Sequence, residues 1–148
     1  MNREYIYNAC RDHLSNQIDS LNKLIEQAQE AANNETKSSA GDKYETGRAM
    51  MQAEKDRLAV QLNDKISNMR VLDSISISSI SEQVQLGSIV VTEVNTFFIG
   101  PALGQIKTEK GHFFAISPNS PLALELLNKK KGASFFINNQ EFTILDLA

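Results

Sequence analysis

The chain has one cysteine, two histidines and no tryptophan in 148 residues. A lone thiol, Cys10, closes no internal disulfide, which points to a reducing, cytoplasmic setting. His13 and His112 are isolated, so no zinc spacing exists and metal ligation by the protein alone is not expected. No apolar run is long enough to span a bilayer, and Met1-Asn2-Arg3-Glu4-Tyr5 has no signal-peptide core. An excess of positive charge is missing too. The formal net charge of -3 argues against sequence-independent binding to a nucleic-acid backbone, though it permits binding to a basic protein groove. Gly100, Gly104 and Gly111 open no helix and so make no phosphate loop. No nucleophile sits in an elbow or triad context. The hydrophobic share of 41% and charged share of 22% are those of a globular chain with room for one ordinary domain or two small ones.

What the chain does have is helical periodicity over its first half. Ile6, Cys10, Leu14, Ile18, Leu21, Leu24, Ile25, Ala28, Ala31 and Ala32 recur at steps of three and four. Tyr44, Met51, Leu58, Leu62, Ile66, Met69 and Leu72 do the same after a polar break, Asn33 to Lys43, rich in Ser, Gly and Asn. The pattern predicts helices over about 2–32 and 42–72, folded back as an antiparallel coiled-coil hairpin with its tip near 33–43. The 10 basic and 11 acidic residues of positions 1–72 describe a solvated, salt-bridged exterior. From Asp73 to Ser81 isoleucine alternates with serine, which predicts an extended linker over 73–86 that lays its isoleucines on a neighbouring surface.

Beyond Gly87 the period changes to that of strands. Ile89 to Thr92, Thr96 to Ile99, His112 to Ile116, Ala133 to Ile137 and Glu141 to Leu145 are short, β-branched and aromatic. Asn138-Asn139 is a hairpin turn between the last two. Ser120 is placed as an N-cap and Pro121 as a first-turn residue of one short helix through Leu127. All seven phenylalanines lie here, giving residues 87–148 an independent core in a small antiparallel sheet. The doublets Phe97-Phe98, Phe113-Phe114 and Phe135-Phe136 put one ring on each face of a strand, so a face left uncovered by the single helix would be an aromatic docking surface. The fold class is α+β.

Two side-chain groups invite a chemical reading. Glu35, Asp42 and Glu45 fall within a turn or two of the hairpin tip, where carboxylates can share a hard cation such as Mg²⁺. The commoner arrangement has Asp42 capping the second helix and Glu45 in its first turn, favoured by the helix dipole. Lys129, Lys130 and Lys131 end the short helix, where cations suit the dipole or meet an acidic partner. His13, His112 and Cys10 read as structural residues.

The segment Ile116-Ser117-Pro118-Asn119-Ser120-Pro121-Leu122 through Leu127-Asn128-Lys129-Lys130-Lys131-Gly132 resembles the C-terminal signature of the bacterial Gre transcript-cleavage factors, GreA/GreB-like proteins. That signature is a strand ending in Ile-Ser, a Ser-Pro, a short Leu-containing helix, then Gly-Lys-Lys and a further Gly. The order of a helical hairpin and then an FKBP-like sheet domain is also that of the Gre family. The resemblance implies a polymerase-docking domain over 87–148 and a hairpin over 1–72 that enters the secondary channel of RNA polymerase. It implies that acidic tip residues hold a Mg²⁺ shared with the polymerase, which then cleaves backtracked RNA. The protein would be an accessory factor and no enzyme itself, with no cofactor of its own. Docking would fall to Ser120, Pro121, Lys129, Lys130 and Lys131. The departures are specific. With Tyr44 aligned to the family's tip tyrosine, the two acids of the family pattern fall on Lys37 and Ala40. Asn128 stands where the family has Gly, and Ala133 where it has an acid.

The resemblance therefore implies a cytoplasmic, monomeric transcription elongation factor that binds RNA polymerase, meets nascent RNA or DNA only inside that complex, and touches no membrane. Stimulation of cleavage and channel occupancy without cleavage stand as two versions of that function. The rivals are an FKBP-like prolyl isomerase, which needs a concave aromatic pocket, and a self-associating coiled-coil adaptor.

Overall fold

The computed structural model describes the backbone of residues 1–38 and 42–148 and the side chains of residues 1–34 and 46–148. The chain forms two compact units, one of Leu14–Ser67 and one of Met1–His13 with Asn68–Ala148. α1 spans Arg3–Ser38 and α2 spans Asp42–Asp73, 36 and 32 residues. Both outrun the mean globular helix of about 11–12 residues.

The helical unit is built as the periodicity requires. Leu21 and Ala28 of α1 and Leu58 of α2 are buried together, with Ile25 and Leu62 packed against them. The Lys55 ammonium donates to the Gln29 amide oxygen across the pair. The contacts of residues 21–29 with residues 55–62 give an antiparallel pair joined through residues 39–41. The stripe is narrower than the sequence suggests, since Leu24 is 46% exposed.

The other unit holds a five-stranded sheet in the order β3-β4-β2-β1-β7 and a separate two-stranded hairpin, β5-β6. β1 is Ile89–Val91, β2 Thr96–Ile99, β3 Gly104–Thr108 and β4 Gly111–Ile116. β5 is Ser134–Ile137, β6 Gln140–Thr143 and β7 Asp146–Leu147. The sheet is mixed: β2 runs parallel to β4, with Phe97 opposite Phe114 and Ile99 opposite Ile116. The antiparallel expectation is corrected at that pair, because β3 intervenes and returns the chain to the far side of β4. The Asn138-Asn139 turn is as expected, both residues taking positive φ of 51° and 65°.

One sheet face carries Val90, Phe97 and Ile99, which join Ala123 and Leu126 of the short helix α3 (Pro121–Leu126), Phe135 and Ile144 in a buried cluster. The rings of Phe97 and Phe114 lie 6.0 Å apart, and those of Phe135 and Phe142 5.9 Å apart. The opposite face carries Ile89, Phe98, Ile106, Phe113 and Ala115, all buried. Ile6 and Cys10 of α1, Leu72 of α2 and Ile75 are buried in the same unit. Ile75 reaches the Phe98 side, since a Cβ at Gly100 would stand 2.9 Å from the Phe98 ring and 3.3 Å from the Ile75 Cδ1. Both faces of the five-stranded sheet are thus filled, and the exposed aromatic lies elsewhere: Phe136 on the β5-β6 hairpin is 57% exposed.

The Ser-Ile segment divides. Ile75 is 8% exposed, Ile77 41% and Ile80 90%, so only the first isoleucine is seated. Turns at residues 74 and 77–78 replace the extended run. The Arg3 guanidinium donates to the carbonyls of Ile77 and Ser79, which fixes the bend.

Candidate functional site

α3 starts where sequence chemistry puts it. Ser120 has an extended backbone, with φ -68° and ψ 151°, and its hydroxyl accepts from the Ala123 N–H at 3.2 Å. Pro121 follows in the first turn, where no N–H is needed. The helix ends at Leu126, and Asn128 turns the chain with φ 65°. Asn is among the few residues that visit the left-handed region readily. It therefore does here what a glycine would do, and the departure at this position leaves the turn intact. The Asn128 N–H donates to the Val84 carbonyl at 2.9 Å, and the Val84 N–H donates to Lys129 O at 2.8 Å.

That pairing moves the three lysines off the helix, whose last turn holds no basic residue. The expectation that Lys129, Lys130 and Lys131 complement the dipole is corrected, because the chain has already turned at Asn128. Instead the Lys130 ammonium stands 3.5 Å from a Glu82 carboxylate oxygen and that of Lys131 2.8 Å from Asp146. Lys131, and then the Leu147 backbone N–H, hold the Asp146 carboxyl below its ordinary range.

The sequence-derived docking residues consequently split. Lys130 and Lys131 border a cavity of about 370 Å³ with Ile80, Ser81, Glu82 and Leu147. Pro121 borders a different one, of about 290 Å³, with Leu122, Glu125, Phe136, Ile137 and Asn138. Ser120 is half-buried and its hydroxyl is committed to the cap. Glu125 and Asn138 of the second groove are not among the sequence-derived docking residues, whereas Phe136 belongs to one of the doublets expected to leave a ring exposed. Phe136 is the exposed ring of its doublet, on the strand phase opposite the buried Phe135.

The tip candidates Glu35, Asp42 and Glu45 have side chains outside the described residues. Among the described residues no group of three or more His, Cys, Asp or Glu could hold a metal ion. Among them too, no helix is long and apolar enough to cross a membrane. Cys10 is fully buried and its thiol is pushed up to about 12 by burial, as befits a core residue.

No family model matches the chain, and no curated protein does. A solved structure described as that of the transcription factor Gfh1 is similar at 21% identity, over 94% of this chain and 93% of that one, with a TM-score of 0.37.

Proposed function

We propose that the chain is a Gre-like RNA polymerase-binding transcription factor, an accessory that acts through the polymerase and is no enzyme itself. The α1-α2 hairpin is the part that occupies the secondary channel, and the sheet unit is the part that docks. The observation that supports this reading is the Ser120-capped α3 with its left-handed exit at Asn128. It is the element that the signature resemblance requires, and it sits beside an exposed aromatic groove. The filled aromatic faces favour docking over prolyl isomerisation, since Phe97, Phe113 and Phe135 are spent in the core.

The test is nascent RNA in stalled, backtracked elongation complexes made with the polymerase of the same organism, with and without the protein. Faster release of short 3′ fragments, lost in the Asp42→Ala/Glu45→Ala double variant, establishes a cleavage factor. Binding to polymerase without faster release establishes a channel-occupying regulator. Absence of binding refutes the proposal.

A further inference from the structure

The groove between α3 and β5 carries an assignment of its own. Its floor is Leu122 and Ile137, both packed against the buried cluster, and its walls are Pro121 and Phe136. A cavity of about 290 Å³ is at the lower limit of small-molecule sites, which run from roughly 300 to 1,000 Å³. It suits one or two side chains of a protein partner. Glu125 is its single charged lining residue. That carboxylate is exposed and forms no ion pair with any described residue, unlike Asp146 and Glu82 in the same unit.

We infer that this groove is a docking site for a protein segment that inserts an aliphatic side chain and sets an arginine beside it. The aliphatic group covers Leu122 and Ile137. A guanidinium meets both remaining features better than an ammonium, because its planar fork can bond both Glu125 carboxylate oxygens while its face lies over the Phe136 ring. An exposed aromatic next to an apolar floor with a polar rim is the anatomy of an interface hot spot. A nucleic-acid or phosphate ligand is disfavoured by the charge of Glu125. The assignment rests on the reading of the sheet unit as a docking module, but not on which protein it docks to.

The probe is a capped helical peptide with leucine and arginine four residues apart, titrated to millimolar concentration into the ¹⁵N-labelled full chain. Amide shifts confined to residues 122–125 and 136–138 are expected. Glu125→Gln should weaken the peptide about two- to fivefold, the range of one exposed ion pair. Glu125→Lys should abolish binding, as should a peptide with glutamate in place of arginine. Phe136→Ser, at an exposed position, should weaken the peptide while leaving the spectrum away from the groove unchanged. No shifts at these amides, equal binding of the glutamate peptide, or full binding by Glu125→Lys would overturn the assignment. Polymerase binding measured in parallel keeps the two proposals apart. If the peptide binds and polymerase does not, the groove stands and the transcription reading falls. If polymerase binds and the peptide does not, the groove assignment falls alone.

Discussion

Gly87 offers the sharpest test of how the sheet unit is held. Its φ is +89°, and a Cβ there would lie 2.7 Å from Ile75 Cγ2. Carbon atoms prefer about 3.5–4.0 Å, so the methyl would stand about 1 Å too close. Gly87→Ala therefore meets two penalties. The left-handed backbone costs roughly 1 kcal/mol, and overpacking against a buried side chain costs about 1–3 kcal/mol. The total of roughly 2–4 kcal/mol corresponds to a fall in Tm of about 6–12 °C for a chain of this size. Gly104→Ala is the matched control. Its φ is +69° but nothing lies within 4 Å of the added Cβ, so only the backbone term remains. Ile75→Ala removes the obstructing methyl, and the double variant Gly87→Ala/Ile75→Ala should be less destabilised than the sum of the singles. Chemical denaturation followed by circular dichroism, with exchange of the Gly87 amide that donates to Ile99 O at 2.7 Å, reads all four proteins. The reasoning fails if Gly87→Ala is no worse than Gly104→Ala.

Other perturbations separate the remaining contributions. Ser120→Ala should cost about 1 kcal/mol in denaturant titration, by stranding the Ala123 N–H. Leu58→Ala should cost about 2–4 kcal/mol in the helical unit, and hydrogen exchange should show the protection of β1 and β2 amides unchanged. The Glu93 carboxylate accepts the Thr143 N–H at 2.9 and 3.0 Å, which holds its pKa below the usual 4.5. Its stabilisation is complete above the unfolded pKa and is lost as pH falls through the lower folded value. Acid titration of stability should therefore lose part of its slope below pH 4.5 in Glu93→Gln. Cys10, pushed up to about 12, should react with a disulfide reagent at pH 8 only at the rate of opening, and at once in denaturant.

The helical pair was legible because its signal is local: apolar steps of three and four survive in any context, and the cap Ser120-Pro121 needs only its own helix. β3 was missed because Gly104-Gln105-Ile106-Lys107-Thr108 has one apolar residue and draws its stability from β4. β7 was missed for the same reason, being two residues long and defined by pairing with β1. The parallel β2-β4 pair is a tertiary fact that no window of sequence contains. Of the site, Pro121 was readable from its cap context. The groove was not, since Glu125 and Phe136 meet only when α3 packs on β5. The lysines misled because the helix has already ended at Leu126, and Asn128, which stands where the family has Gly, turns the chain before they are reached.

The division into two units has a kinetic consequence. Residues 14–67 close on themselves through neighbours in a single hairpin, whereas the sheet unit gathers Met1–His13 with Asn68–Ala148. Its last strand pairs Leu147 with Val90, and its first residues must find partners beyond position 68. Loops that long slow the search, while local helical contacts form fast. On a ribosome the hairpin can consolidate as soon as α2 has emerged, but the sheet unit waits for β7. The element assigned to reach a partner is thus ready before the element assigned to hold one.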